Sequence, residues 1–154
     1  MRFASLLAVS WIGFCGITSF ASAEDAHTVV APNDIKWAPA PKMLPAGAEA
    51  AILFGDPSKE GLFALRLKLP SGYAIPPHTH PAYEVVTVIS GTSNLGMGEA
   101  ADRGATKALP AGSFFALPPG MAHYVYFDEE TVVQVTTNGP WGIKYVNPAD
   151  DPSN

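Results

Sequence analysis

The sequence predicts an all-β domain, a sandwich or a barrel, and three observations carry that expectation. Leu62 to Leu69 alternates, with Phe63, Leu65, Leu67 and Leu69 on one face and Ala64, Arg66 and Lys68 on the other. That is the period-two pattern of a half-buried strand. Tyr83 to Ser90 reads YEVVTVIS, a run of β-branched and aromatic residues that suits a pleated surface. Turn clusters recur at Gly55-Asp56-Pro57, Pro70-Ser71-Gly72 and Pro118-Pro119-Gly120, and they cut the chain into short segments. No stretch keeps apolar residues at helical spacing for more than a turn or two, and no internal repeat is present.

Taken in order, the 154 residues are enough for one domain. Residues 1–23 read as a secretory signal peptide. Arg2 gives a positive start, Phe3 to Phe20 is almost free of charge, and Ala21-Ser22-Ala23 is a small-residue cleavage site. An uncleaved membrane anchor is the alternative, but Ser, Gly and Thr interrupt the run before it reaches that site. No twin arginine precedes it. The expectation is therefore a secreted or periplasmic protein starting near Glu24, with no membrane contact after cleavage. The only cysteine, Cys15, lies inside the leader, so the mature chain is expected to form no disulfide and to depend on its core and any metal it holds.

Residues 24–49 are rich in Pro and Ala and read as an extended arm, with Ile35, Trp37, Met43 and Leu44 as docking points. The domain is expected over residues 50–146. Its strands are placed at 51–54, 62–69, 83–90, 94–97, 113–117, 122–127, 131–137 and 141–146, with a bend or bulge at Gly96-Met97-Gly98 and a polar loop over Glu99 to Lys107. Residues 147–154 are a polar tail. Acidic residues outnumber basic ones, giving a net charge of −5, and the charges are scattered. Nucleic acid and acidic membrane surfaces are poor partners for such a chain.

Four histidines occur in the chain, and two of them, His78 and His80, are one residue apart. On a strand, residues two apart share a face. Both imidazoles therefore point the same way and can chelate one ion. Glu84 has the same parity, so a regular strand would add a carboxylate to that face. A further ligand must come from a neighbouring strand, and His123 is the candidate. His27 lies in the arm and is expected to be solvated. An isolated His-x-His pair is weak evidence for a metal, because a histidine on a strand is more often just a packed or exposed side chain.

The surroundings strengthen it. Gly72, His78, His80, Glu84 and Gly91 fit Gly-x5-His-x-His-x3-Glu-x6-Gly. Gly112, Pro118, Gly120 and His123 fit Gly-x5-Pro-x-Gly-x2-His. These are the two sequence motifs of the cupins, and the chain resembles a small single-domain cupin over roughly residues 50–146. The resemblance implies a conical jelly-roll β-barrel, RmlC-like, with a metal inside, and its ligand positions fall on His78, His80, Glu84 and His123. One position departs: the second motif often ends in Asn, and here Phe127 stands there. Phe127 and Phe115 are the pocket candidates, the first making the wall more apolar. Tyr83, Met97, Tyr124, Tyr126, Trp141 and Tyr145 could line the pocket mouth or fill the barrel, and filling is the reading taken for most of them.

Three imidazoles and a carboxylate suit one divalent transition metal (iron, manganese, nickel, copper or zinc) with positions left open. The set lacks the thiolates of a structural zinc site. Loading in the periplasm would favour copper and zinc by affinity order. No phosphate loop and no nucleophile set independent of these histidines can be proposed. The leading functional reading is a metal-dependent, dioxygenase-like oxidoreductase acting on a small organic molecule, with Glu84 also a candidate base. The alternatives are a non-catalytic metal or ligand carrier or sensor, and a metal-dependent isomerase or lyase. A homodimer paired through strand edges is a further expectation.

Overall fold

The computed structural model describes residues 27–154; the expected signal peptide lies outside them. Eleven strands follow in order: β1 (Ala38–Pro39), β2 (Glu49–Phe54), β3 (Gly61–Leu69), β4 (Tyr73–Thr79), β5 (Glu84–Ser90), β6 (Thr92–Met97), β7 (Lys107–Pro110), β8 (Phe114–Leu117), β9 (His123–Phe127), β10 (Thr131–Gly139) and β11 (Lys144–Tyr145). Among the described residues the only helical pieces are three short 3-10 turns, and no helix is long and apolar enough to cross a membrane.

The strands form two antiparallel sheets rather than one closed hydrogen-bonded cylinder. One runs β1-β2-β3-β10-β5-β8, the other β11-β4-β9-β6-β7. From β4 onward the chain mostly alternates between them, a jelly-roll path. The predicted alternation on β3 holds: Phe63, Leu65, Leu67 and Leu69 are all buried. They meet Val86 and Val88 of β5 and Val133 and Val135 of β10 in one core. Each such side chain contributes about 1.5–3 kcal/mol when fully buried.

The crossings between sheets depend on glycine at two places. At Gly91, between β5 and β6, φ is 73°, and a Cβ would sit 2.5 Å from the Glu130 carbonyl oxygen. At Gly120 φ is 76°, and its N–H donates to the His80 carbonyl at 2.9 Å. That bond ties the turn before β9 to the segment after β4, so the two motifs are joined by backbone as well as by side chains.

Several expected boundaries move. β7 and the 3-10 turn Arg103–Ala105 occupy the end of the predicted polar loop and the residues after it. The strand expected over 141–146 contracts to Lys144–Tyr145. Gly96 is no bulge: it pairs regularly with Tyr124, and a Cβ there would lie 2.1 Å from the Tyr124 ring. The arm docks partly as expected. Leu44 is buried and joins the core, Trp37 lies over Lys68 at 4.5 Å, and His27 is exposed. Two strand tyrosines hold the arm: Tyr73 donates its hydroxyl to the Pro45 carbonyl, and Tyr145 donates to the Met43 carbonyl at 2.8 Å.

Candidate metal centre

The site begins with a fault in β4. Tyr73 and Ile75 are buried at odd positions, but His78 and His80 are buried at even ones. The pairing of β4 with β9 shifts register between Ile75 and His78, where Pro76 and Pro77 stand. A bulge re-aims every side chain beyond it, so one strand gives apolar residues to the core first and imidazoles afterwards. On β9 His123, Val125 and Phe127 share the inner side and are all buried, and Tyr124 between them is buried on the other. His78 and His123 are direct partners across the β4–β9 ladder, with ring centroids 4.2 Å apart.

Glu84 reaches the site by a different route from the one its parity suggested. The chain turns after Thr79, and Glu84 opens β5 in the other sheet. The two histidines and the carboxylate do not share a strand; they face each other across the interior. The chain thus brings all four predicted residues together. A nitrogen from each of His78, His80 and His123 lies within 4.8 Å of the other two. Glu84 touches two of the rings, at 3.4 Å from His80 Nε2 and 3.1 Å from His123 Nε2.

The tautomers follow from the backbone. Nδ1 of His78 lies 2.7 Å from the Pro76 carbonyl oxygen, Nδ1 of His80 2.8 Å from that of Gly142, and Nδ1 of His123 3.1 Å from that of Met121. A carbonyl can only accept, so each Nδ1 carries the proton and each Nε2 presents a lone pair. Burial, reinforced by repulsion from His123 and His80, lowers the His78 pKa to about 3, and burial likewise lowers His80. Burial pushes the Glu84 carboxyl up, but contact with His123 and the charges the rings carry when protonated outweigh it, and the net shift is down.

With His78 and His80 held neutral and Glu84 ionised, the site is rich in acceptors. His80 Nε2 and Glu84 Oε2 are buried without any aligned hydrogen-bond partner, although His123 Nε2 is close. Buried acceptors without partners are costly, and a cation among them would satisfy them. The donor set therefore fits a divalent metal. The Nδ1–carbonyl bonds are the outer contacts that orient metal-binding imidazoles.

Around the site the walls are apolar. A cavity of about 30 Å³ opens beside His78, Glu84 and His123, lined also by Phe115, Phe127 and Ser93. The two pocket candidates, Phe115 and Phe127, both line this cavity, while Tyr124 and Tyr145 are buried in the fold. The sequence did not mark Ser93, a fully buried hydroxyl-bearing residue on β6, because a serine in a polar run of a strand carries no signal of its own. A wider cleft of about 400 Å³ reaches His80 from outside, between Pro119, Gly120 and Lys144. Trp141, one of the aromatics open to either role, lines a third, smaller cavity with His80 and Glu84.

Comparison with known proteins agrees with this architecture. A family model described as a domain of unknown function (DUF4437) matches residues 21–144. Germin-like protein 3-1 of Oryza sativa is 35% identical over 81 residues, 52% of this chain and 36% of that protein. The chain thus aligns with little more than a third of that relative. Among solved structures, an RmlC-like cupin from Shewanella frigidimarina superposes with a TM-score of 0.57 at 16% identity, covering 73% of this chain and 91% of that one. A protein described as a putative acetylacetone dioxygenase from Methylibium petroleiphilum gives 0.64 at 16% identity, covering 85% and 88%. At such identities these structures speak for the fold alone. The chain belongs to the DUF4437 family and to the cupin superfamily.

Proposed function

We propose that the protein is a mononuclear metal-dependent oxidoreductase acting on a small oxygen-bearing molecule, with His78, His80, Glu84 and His123 holding the metal. One observation carries the reading: three buried imidazoles and the buried Glu84 carboxylate converge from both sheets, with His80 Nε2 and Glu84 Oε2 left without a hydrogen-bond partner. When bound there, a first-row divalent ion supplies Lewis acidity and, in the case of iron, manganese or copper, one-electron redox chemistry.

The chain's own residues supply the rest. The carbonyls of Pro76, Gly142 and Met121 fix the three rings. Phe115 and Phe127 exclude water, which strengthens every electrostatic contact inside. Glu84 is the only buried carboxylate among the described residues and is the group that can take a proton from a substrate. The cleft beside His80 gives the body of a small organic molecule a place to lie. The leader-like pattern of residues 1–23 supports export, so this chemistry is proposed for the periplasm or the exterior.

A second reading, a carrier or sensor without turnover, is supported by the narrowness of the inner cavity, which at about 30 Å³ holds little more than a water or a diatomic. The isomerase or lyase reading has less support, since no second buried carboxylate stands ready for acid–base work. Metal analysis beside oxygen-uptake assays tests the proposal. Bound iron, manganese or copper with oxygen consumption on small carbonyl or phenolic compounds supports it. Bound zinc with no turnover favours the carrier. A protein that takes up no metal even after reconstitution overturns both.

A further inference from the structure

Among the described residues three buried side-chain atoms lack a hydrogen-bond partner: His80 Nε2, Glu84 Oε2 and Trp141 Nε1. All three residues line one small cavity between the β4–β5 turn and the end of β10. Two of the atoms are acceptors, and a cation satisfies them. The third is a donor, because an indole N–H can only donate. A cation cannot satisfy it, and no acceptor among the described residues does.

The position of Trp141 is fixed by contacts that do not use this N–H. Its backbone N–H donates to the Pro57 carbonyl at 2.7 Å. Its ring packs on Phe63, with centroids 6.1 Å apart. Two residues earlier, a Cβ on Gly139 would lie 2.2 Å from the Lys59 carbonyl oxygen, so only glycine lets this segment lie so close to the 57–59 loop. The nearby Thr137 hydroxyl already donates to the Tyr83 carbonyl. Trp141 is therefore the buried donor left facing this cavity. An unpaired buried donor is costly, and one kept at a candidate site calls for a partner.

We propose that Trp141 Nε1 donates to an oxygen atom of a small anionic ligand, of the carboxylate class, entering the cavity beside His80 and Glu84. The inference rests on the metal reading above and adds to it the class of ligand. The cavity measures about 10 Å³, room for a single oxygen-sized group, so the end of the ligand enters and its body stays outside. One carboxylate leaves a divalent centre with net positive charge, which selects an anion over a neutral oxygen.

The test uses formate as the probe, cobalt(II)-loaded protein, and a Trp141→Phe variant that keeps an aromatic ring against Phe63 while removing the N–H. Both proteins should take up the same amount of cobalt. Formate, titrated by the visible cobalt spectrum, should bind the variant about tenfold more weakly, the loss expected for one hydrogen bond to a charged group. In the zinc-loaded wild type, the assigned Trp141 indole N–H resonance should move downfield as formate is added; this measurement decides the matter if the variant does not fold. Equal formate affinity in the two proteins, an unmoved resonance, or no formate binding by the metal-loaded wild type overturns the inference while leaving the metal site standing. Failure of the wild type to bind cobalt or zinc removes the metal reading and this inference together.

Discussion

The interior contains two regions that are equally buried and differently finished. Phe63, Leu65, Leu69, Val88 and Val135 are almost wholly inaccessible, and so are His78 and His123. The apolar group is complete, because each side chain is satisfied by contact with the others. The histidine group is not. Its Nδ1 atoms have carbonyl partners, while the Nε2 atoms and the Glu84 carboxylate face one another as acceptors. Burial alone therefore does not separate the residues that make this protein fold from those that give it chemistry. Polar satisfaction does, and substitutions in the two regions should carry opposite signatures.

The largest effect is expected from His78→Ala combined with His123→Ala. Loss of an outer-shell contact alone typically costs ten- to a hundredfold in metal affinity, so removing two ligands should cost more than about a hundredfold. Elemental analysis should find one equivalent of metal in the wild type after reconstitution and essentially none in the variant. Full occupancy in the variant would place the metal elsewhere and dissolve the contrast between the two regions.

Leu69→Ala makes the complementary test. Leu69 is fully buried at the end of β3, and a cavity there should cost about 2–5 kcal/mol. The thermal midpoint should fall by roughly 10 °C, taking a few degrees per kcal/mol for a domain of this size. Metal content measured well below the transition should be unchanged. Glu84→Gln should act at the site instead. A neutral amide is a poorer ligand than a carboxylate, so metal affinity should fall by about ten- to a hundredfold. Competition with a chelator, followed by elemental analysis, reads the change; an unchanged affinity would mean that the carboxylate does not hold the metal.

The apolar region was largely legible in the sequence, and the site only in part. The alternation of Phe63, Leu65, Leu67 and Leu69 is local, and one strand face reveals it. His78, His80, Glu84 and His123 were legible through motif spacing, but the reason Glu84 joins them was not. Its parity with His80 is an accident of numbering across a turn; what matters is that β5 lies in the opposite sheet. The bulge at Pro76-Pro77 changes which face is inside, and counting by twos cannot show that. The carbonyls that orient the rings belong to Pro76, Met121 and Gly142, and a backbone oxygen leaves no mark on residue type. Trp141 looked like any other aromatic, because an unpaired N–H exists only once the surroundings are folded. Residues 107–110 (KALP) lack the alternation that would announce a strand, and β7 forms because β6 lies beside it.

Tyr145 stands where the two regions meet, and it gives the smallest and most specific test. Its ring lies 6.0 Å from that of His78, yet its hydroxyl turns away and donates to the Met43 carbonyl at 2.8 Å, holding the arm against the domain. If it belongs to the finished region, Tyr145→Phe should cost about 1 kcal/mol, the worth of one hydrogen bond, and leave metal content untouched. The pH dependence should change as well. Burial, with Asp151 and Asp150 nearby, raises the phenol from its ordinary value of 10.0 to about 12 in the folded protein. The unfolded chain then releases this proton first as pH rises, so the tyrosine's contribution is complete below about pH 10 and is lost between about 10 and 12. Denaturant midpoints across that range should fall more steeply for wild type than for Tyr145→Phe, and the two curves should converge at the alkaline end. Parallel curves would mean that the hydroxyl ionises as freely in the fold as in water, and that the arm is held by Tyr73 and the apolar contacts of Leu44 rather than by Tyr145.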